Sequence, residues 1–147
     1  MRIDRWIALA ALAAVVTVGA WAPATAADES TAAAPDDGVV VYYFHGDVRC
    51  ATCRKLEAYS EEAIRTGFAD ELSSGAMSYR LVNVDQAANK HFVTDFQLTN
   101  KAVVVVEYDD GTPVRHENLT KVWQLVRDKE KFLDYVQEET RGFLGGA

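Results

Sequence analysis

Cys50 and Cys53, separated by Ala51 and Thr52, are the only two cysteines of the 147-residue chain. Two thiols at this spacing can close into a small disulfide ring, exchange electrons, or hold a soft metal. The residues around them narrow the choice. A β-branched and aromatic run, Val39 to Phe44, leads into a short polar loop, His45 to Arg49. The cysteines follow, and a segment of helical character begins. Strand, loop, Cys-x-x-Cys and helix in this order read as a redox dithiol. A thiol at a helix N-terminus meets unpaired backbone N–H groups and the positive end of the macrodipole. Both favour the thiolate, which is the nucleophile. Arg49, Arg54 and Lys55 add positive charge nearby. Cys50 is therefore expected to be the attacking sulfur and Cys53, one turn into the helix, the resolving one. His45 is a candidate for proton transfer to or from a thiol, with a solvated loop histidine as the plainer reading.

Three other uses of the pair stay open. A purely structural disulfide over so short a loop is worth only about 2 kcal/mol by chain entropy, against about 3 for a 15-residue loop. A zinc site wants four ligands, and one Cys-x-x-Cys supplies two. His45, His91 and His116 are scattered and show no ligand spacing. Two buried, inert thiols are the last alternative.

The elements that must position the dithiol come from a chain with 49% hydrophobic residues, enough for one globular domain with a real core. Residues 1–26 are expected to stand apart from it. Arg2 and Arg5 precede an apolar stretch from Trp6 to Trp21, and Ala24-Thr25-Ala26 is a small-x-small cleavage site. This is the pattern of a secretory signal peptide rather than of a membrane anchor, for which the apolar run is short. No cysteine near the cleavage site indicates a lipid-modified terminus. Export would put the chain, periplasmic or extracellular, where disulfides persist, without stable membrane association after cleavage. The net charge of −7, made slightly more negative by loss of Arg2, Arg5 and Asp4, argues against nucleic acid and anionic membrane faces as partners. Residues 27–38 read as a flexible leader, and residues 39–147 as the domain.

Within the domain, Val39 to Phe44 is apolar on both faces, as a covered central strand should be. Thr52 to about Ser73 is helical, with Leu56, Tyr59, Ala63, Phe68 and Leu72 inward, Glu57, Glu61 and Glu62 on the wet side, and Gly67 marking a kink or break. Ser78 to Asp85 is a strand, and Gln86 to Phe96 a short helix with Asp85 as its N-cap and His91 on its surface. Ala102 to Tyr108 contains four consecutive valines and reads as a buried strand. Asp109-Asp110-Gly111-Thr112 is a hairpin turn, and Pro113 to Glu117 an edge strand. Leu119 to Leu144 is helical, with Val122, Val126, Leu133, Val136, Thr140 and Leu144 in one stripe, and Asp128 able to cap a second helix. The expected class is α/β. It has a mixed four-stranded sheet in the order β-α-β-α-β-β-α, the first two strands parallel and the last two antiparallel.

That order, with Cys-x-x-Cys after the first strand, resembles the thioredoxin-like superfamily over residues 39 to about 144. Val39 to Lys55 carries the strand, dithiol and helix. Leu81-Val82-Asn83-Val84-Asp85-Gln86 is similar to the family's second-strand ending, and Phe96 to Gly111 to its helix end, loop, apolar strand and glycine turn. The resemblance implies a three-layer sandwich and thiol–disulfide exchange through a mixed disulfide, with Cys50 as nucleophile and Cys53 as resolving thiol. It implies no organic cofactor, and protein thiols or disulfides together with a redox partner as the molecules met.

The sequence departs from the family at three places. Arg49 stands where a tryptophan usually precedes the first cysteine, and Ala51-Thr52 replaces Gly-Pro. Thr99-Asn100-Lys101-Ala102-Val103 lacks the cis-proline that faces the dithiol before the third strand. Val39 to Phe44 lacks a buried acid, leaving Glu57 or Asp47 as substitutes. The missing proline leaves room beside the sulfurs. The alternative to an oxidoreductase is therefore a non-enzymatic protein on the same fold, binding copper(I), zinc or mercury(II) through Cys50 and Cys53.

Overall fold

The computed structural model describes residues 35–145. The signal segment expected at residues 1–26 and most of the expected leader lie outside them. Four strands form one sheet in the spatial order β2-β1-β3-β4. They are β1 (Gly38–His45), β2 (Met77–Asn83), β3 (Ala102–Asp109) and β4 (Thr112–Asn118). β1 is parallel to β2 and antiparallel to β3, and β3 is antiparallel to β4. The helices are α1 (Ala51–Gly67), α2 (Ala69–Ser74), α3 (His91–Asp95), α4 (Val122–Leu125) and α5 (Lys129–Leu144), with a 3-10 turn at Ala87–Asn89. This is the thioredoxin-like sandwich that the sequence leads one to expect.

Period-2 alternation splits the central strands between two cores. Val39, Val41, Tyr43, Val103 and Val105 face α1 and α5, where Leu56, Ala63, Ile64, Phe132 and Val136 meet them. Val40, Tyr42, Phe44, Val104 and Val106 face the other way, towards Phe92, Phe96 and Leu98. The four valines of β3 are fully buried, each worth about 1.5–3 kcal/mol of burial.

Breaks in the helices follow the sequence. α1 ends at Gly67, where an added Cβ would meet the Gln137 side chain at 2.7 Å. Gln137 instead reaches across from α5 and donates to the Ala63 carbonyl at 3.0 Å. Asp128 accepts from the Lys131 N–H and starts α5 afresh. That restart resets the helical phase, so Phe132, Val136, Thr140 and Phe143 are the buried stripe, and Leu133 and Leu144 are only half-buried. Asp110 and Gly111, both at positive φ, close the β3–β4 hairpin as a two-residue turn.

Several boundaries differ from the sequence reading, among them that β2 runs from Met77 to Asn83 and stops short of Asp85. Gly38 already belongs to β1. Its φ of +110° and the Ala76 carbonyl oxygen, 2.7 Å from where a Cβ would sit, admit only glycine. His45 is the last residue of β1 rather than a loop residue. Asp85 caps no helix: the 3-10 turn starts after Gln86 with no side-chain cap.

Register sets the site. Phe44 lies opposite Val82 on one side and Ala102 on the other. The end of β1 that carries the dithiol loop is thus flanked by the end of β2 and the loop that enters β3. No helix among the described residues is long and apolar enough to cross a membrane.

Candidate dithiol site

Cys50 and Cys53 form a disulfide at the start of α1, their Cα atoms 5.0 Å apart. Cys50 is the N-cap residue, in extended conformation with φ −74° and ψ 167°. The Cys53 N–H donates to Cys50 Sγ at 3.1 Å, and the Arg54 N–H to the Cys50 carbonyl at 3.1 Å. Sulfur here takes the place that a Ser or Asp oxygen fills at other helix starts, satisfying one of the orphan donors. The two residues differ in burial. Cys50 is exposed, whereas Cys53 is 4% exposed. Beside them Val48 is 78% exposed.

Under the helix start lies a buried polar cluster. The Tyr43 hydroxyl donates to the Cys53 carbonyl at 2.7 Å. Burial pushes the Tyr43 phenol well up, the Glu57 carboxylate pushes it further, and Arg49 opposes both. Glu57 is therefore not on the wet side of α1. The guanidinium of Arg49 faces it, with Nη1 3.0 Å from Oε1 and 2.9 Å from Oε2. Only the Oε1 contact has hydrogen-bond geometry, and the buried Oε2 is held by charge alone. Glu57 thus lies half-buried on the second turn of α1, paired with Arg49.

The same guanidinium reaches His45 on its other edge. Nη2 lies 2.6 Å from His45 Nε2, and Nε 3.3 Å from Nδ1. His45 Nδ1 also lies 3.0 Å from the Gly46 carbonyl oxygen. A proton on Nδ1 donated to that carbonyl leaves Nε2 to accept from Arg49, which satisfies the two shorter contacts together. His45 is 2% exposed, so it is not a solvated loop histidine. Its side chain follows the parity of Val41 and Tyr43, towards α1. Lys55 and Arg54 are exposed, and Arg54 Nη2 lies 3.5 Å from the Arg49 carbonyl.

A second set of contacts clasps the loop from β2. The Asp47 N–H donates to Asp85 Oδ2 at 2.7 Å, Asn83 Nδ2 donates to Asp47 Oδ1 at 2.7 Å, and the Asp85 N–H donates to Asn83 Oδ1 at 3.0 Å. Gly46 is packed against this clasp, with Asp85 Oδ2 only 2.5 Å from where its Cβ would be. On the far side, Trp123 Nε1 donates to the Lys101 carbonyl at 3.0 Å, just before β3. No cis peptide bond occurs among the described residues. Two cavities, of about 280 and 220 Å³, flank the Thr99–Lys101 loop.

For a metal, the pair would need further ligands. Among the described residues no group of three His, Cys, Asp or Glu side chains is placed to hold one. The nearest histidine in sequence, His45, has its ring nitrogens against Arg49 and Gly46.

The sequence placed Cys50, Cys53 and Arg49 at one loop but gave no sign of the Asp47–Asn83–Asp85 clasp. The buried hydroxyl of Tyr43 was a usable signal, since a buried phenol needs a partner.

No family model matches the chain, and no curated protein matches it. Solved structures do. A thioredoxin of Fasciola hepatica is 21% identical, covering 63% of this chain and 81% of its own, with a TM-score of 0.37. A Plasmodium falciparum thioredoxin is 19% identical over 62% and 81%, also at 0.37. Thioredoxin f2 of Chlamydomonas reinhardtii is 18% identical over 63% and 79%, again at 0.37. The strand order, the strand directions and the cysteine pair at the start of α1 are those of a thioredoxin-like fold.

Proposed function

We propose that the protein is an exported thiol–disulfide oxidoreductase that exchanges electrons with protein disulfides through Cys50 and Cys53. One observation carries the reading: a disulfide straddles a helix N-cap with one sulfur residue exposed and the other buried. In the reduced protein the Cys50 thiolate attacks a sulfur of the partner disulfide. A Cys50–partner disulfide forms and the partner's other sulfur leaves as a thiolate. Cys53, losing its proton, then attacks Cys50 Sγ, closes the Cys50–Cys53 disulfide and releases the second partner thiolate. The partner is oxidised by the reverse sequence, beginning with its thiolate at exposed Cys50. The N–H of Cys53, aimed at Cys50 Sγ, and the N-terminal end of the 17-residue α1 stabilise negative charge on that sulfur. Export rests on the signal pattern of residues 1–26 and suits a compartment in which such a disulfide persists.

Cys50→Ser should abolish exchange with a protein disulfide, and Cys53→Ser should accumulate a partner-linked species detectable by mass. Retained turnover in both variants would refute the assignment.

A further inference from the structure

We propose that Arg49 is a positioning residue that acts through His45 and Glu57, and that its charge is not the counter-ion of the Cys50 thiolate; the inference rests on the exchange activity proposed above. Arg49 directly precedes the nucleophile, and from sequence its cation is expected to serve the sulfur. Its geometry assigns it elsewhere. One edge of the guanidinium meets the His45 ring at 2.6 and 3.3 Å, and Nη1 meets Glu57 at 2.9 and 3.0 Å. The positive charge is matched by the Glu57 carboxylate, and both side chains are largely buried, 29% and 22% exposed.

The mechanical consequence follows from where the partners sit. His45 ends β1, and Glu57 stands on α1 four residues after Cys53. Arg49 bolts these two rigid elements together from the loop residue next to Cys50. Without it, the four-residue connection Gly46–Arg49 keeps the contacts of Asp47 with Asp85 and Asn83, the His45 contact at the Gly46 carbonyl and the long Arg54 contact at the Arg49 carbonyl. The N-cap geometry that aims the Cys53 N–H at Cys50 Sγ then loosens, and so does the stabilisation of the reduced form. Only a planar fork spans a ring edge and a carboxylate at once; a lysine ammonium is a point donor on a flexible stem.

The test compares Arg49→Lys, Arg49→Met and Glu57→Gln with the full chain after signal removal. The readouts are the rate of exchange with oxidised glutathione, the equilibrium with glutathione, and thermal melting to show that each variant is folded. Positioning predicts that Lys fails to rescue: Lys and Met both slow exchange about tenfold or more, since small misplacements cost up to about a hundredfold. Both should shift the equilibrium towards the disulfide by about tenfold, or about 30 mV. Glu57→Gln should move rate and equilibrium in that same direction by a smaller factor. Arg49→Lys with wild-type rate and equilibrium would overturn the proposal. So would a Glu57→Gln variant that exchanges faster, because a freed cation would then be serving the thiolate. A wild-type protein that does not exchange at all would overturn the functional reading along with it.

Discussion

The Tyr43 hydroxyl donates to the Cys53 carbonyl at 2.7 Å, fastening the turn that contains the dithiol to the central strand beneath it. Cys53 O is also a helix carbonyl, so removing the hydroxyl leaves that acceptor inside the α1 ladder. Tyr43→Phe should therefore cost only about 1 kcal/mol of stability, the net worth of one such bond. It should also slow resolution of mixed disulfides, because Cys53 sits in the loosened turn. Equilibrium denaturation and stopped-flow exchange would check both parts. Exchange at the wild-type rate would show that the hydroxyl serves the fold alone.

Gly46 and Asp85 form a second such joint, 39 positions apart in the chain. A Cβ on residue 46 would come within 2.5 Å of Asp85 Oδ2, the oxygen that receives the Asp47 N–H. Gly46→Ala is expected to displace the carboxylate and lower exchange several-fold. Asp85→Ala removes the same contact and should do likewise. The double variant should be no worse than the more damaged single one, because both act on one joint. Additive losses would mean that Gly46 matters for another reason.

Alkaline stability carries a sign that can be worked out. Burial is the first cause that raises the phenols of Tyr42, Tyr43 and Tyr79; Tyr108 adds to it at Tyr42, Glu57 at Tyr43, and Glu61 and Glu57 at Tyr79. Tyr135, partly buried, is pushed up to about 12. In the unfolded chain tyrosines ionise near pH 10, so above that pH the unfolded state binds fewer protons than the folded one. Stability is then intact below about pH 10 and declines as pH rises further. Phenolate absorbance followed together with circular dichroism should show these buried tyrosines ionising only as the fold is lost. Reversible ionisation of all six tyrosines in the folded state near pH 10 would contradict the packing described.

Much of the architecture was legible because it rests on local pattern. Unbroken apolar runs marked β1 and β3, Asp110-Gly111 marked the hairpin, and Gly67 and Asp128 marked breaks between helices. The dithiol's place between strand and helix was legible for the same reason. His45 was misread because a polar residue followed by glycine looks like a loop, although strand parity with Val41 and Tyr43 would have sent it towards α1. Glu57 was misread because helical spacing groups it with Glu61 and Glu62, whose side chains stay 41% exposed against 22% for Glu57. Only the tertiary approach of Arg49 draws it inward. The Asp47–Asn83–Asp85 clasp and the Trp123–Lys101 brace join residues 22 to 38 positions apart, and no local pattern reports such contacts.

The most direct test is the equilibrium of the Cys50–Cys53 pair with a glutathione redox buffer, with free thiols counted by alkylation and mass. The account predicts ready equilibration and a potential between about −120 and −270 mV, the span of working oxidoreductases. It also predicts that Cys50, the more exposed of the two residues, is alkylated before Cys53. A potential below about −300 mV, or a pair that never equilibrates, would make this disulfide a structural clip and contradict the central claim.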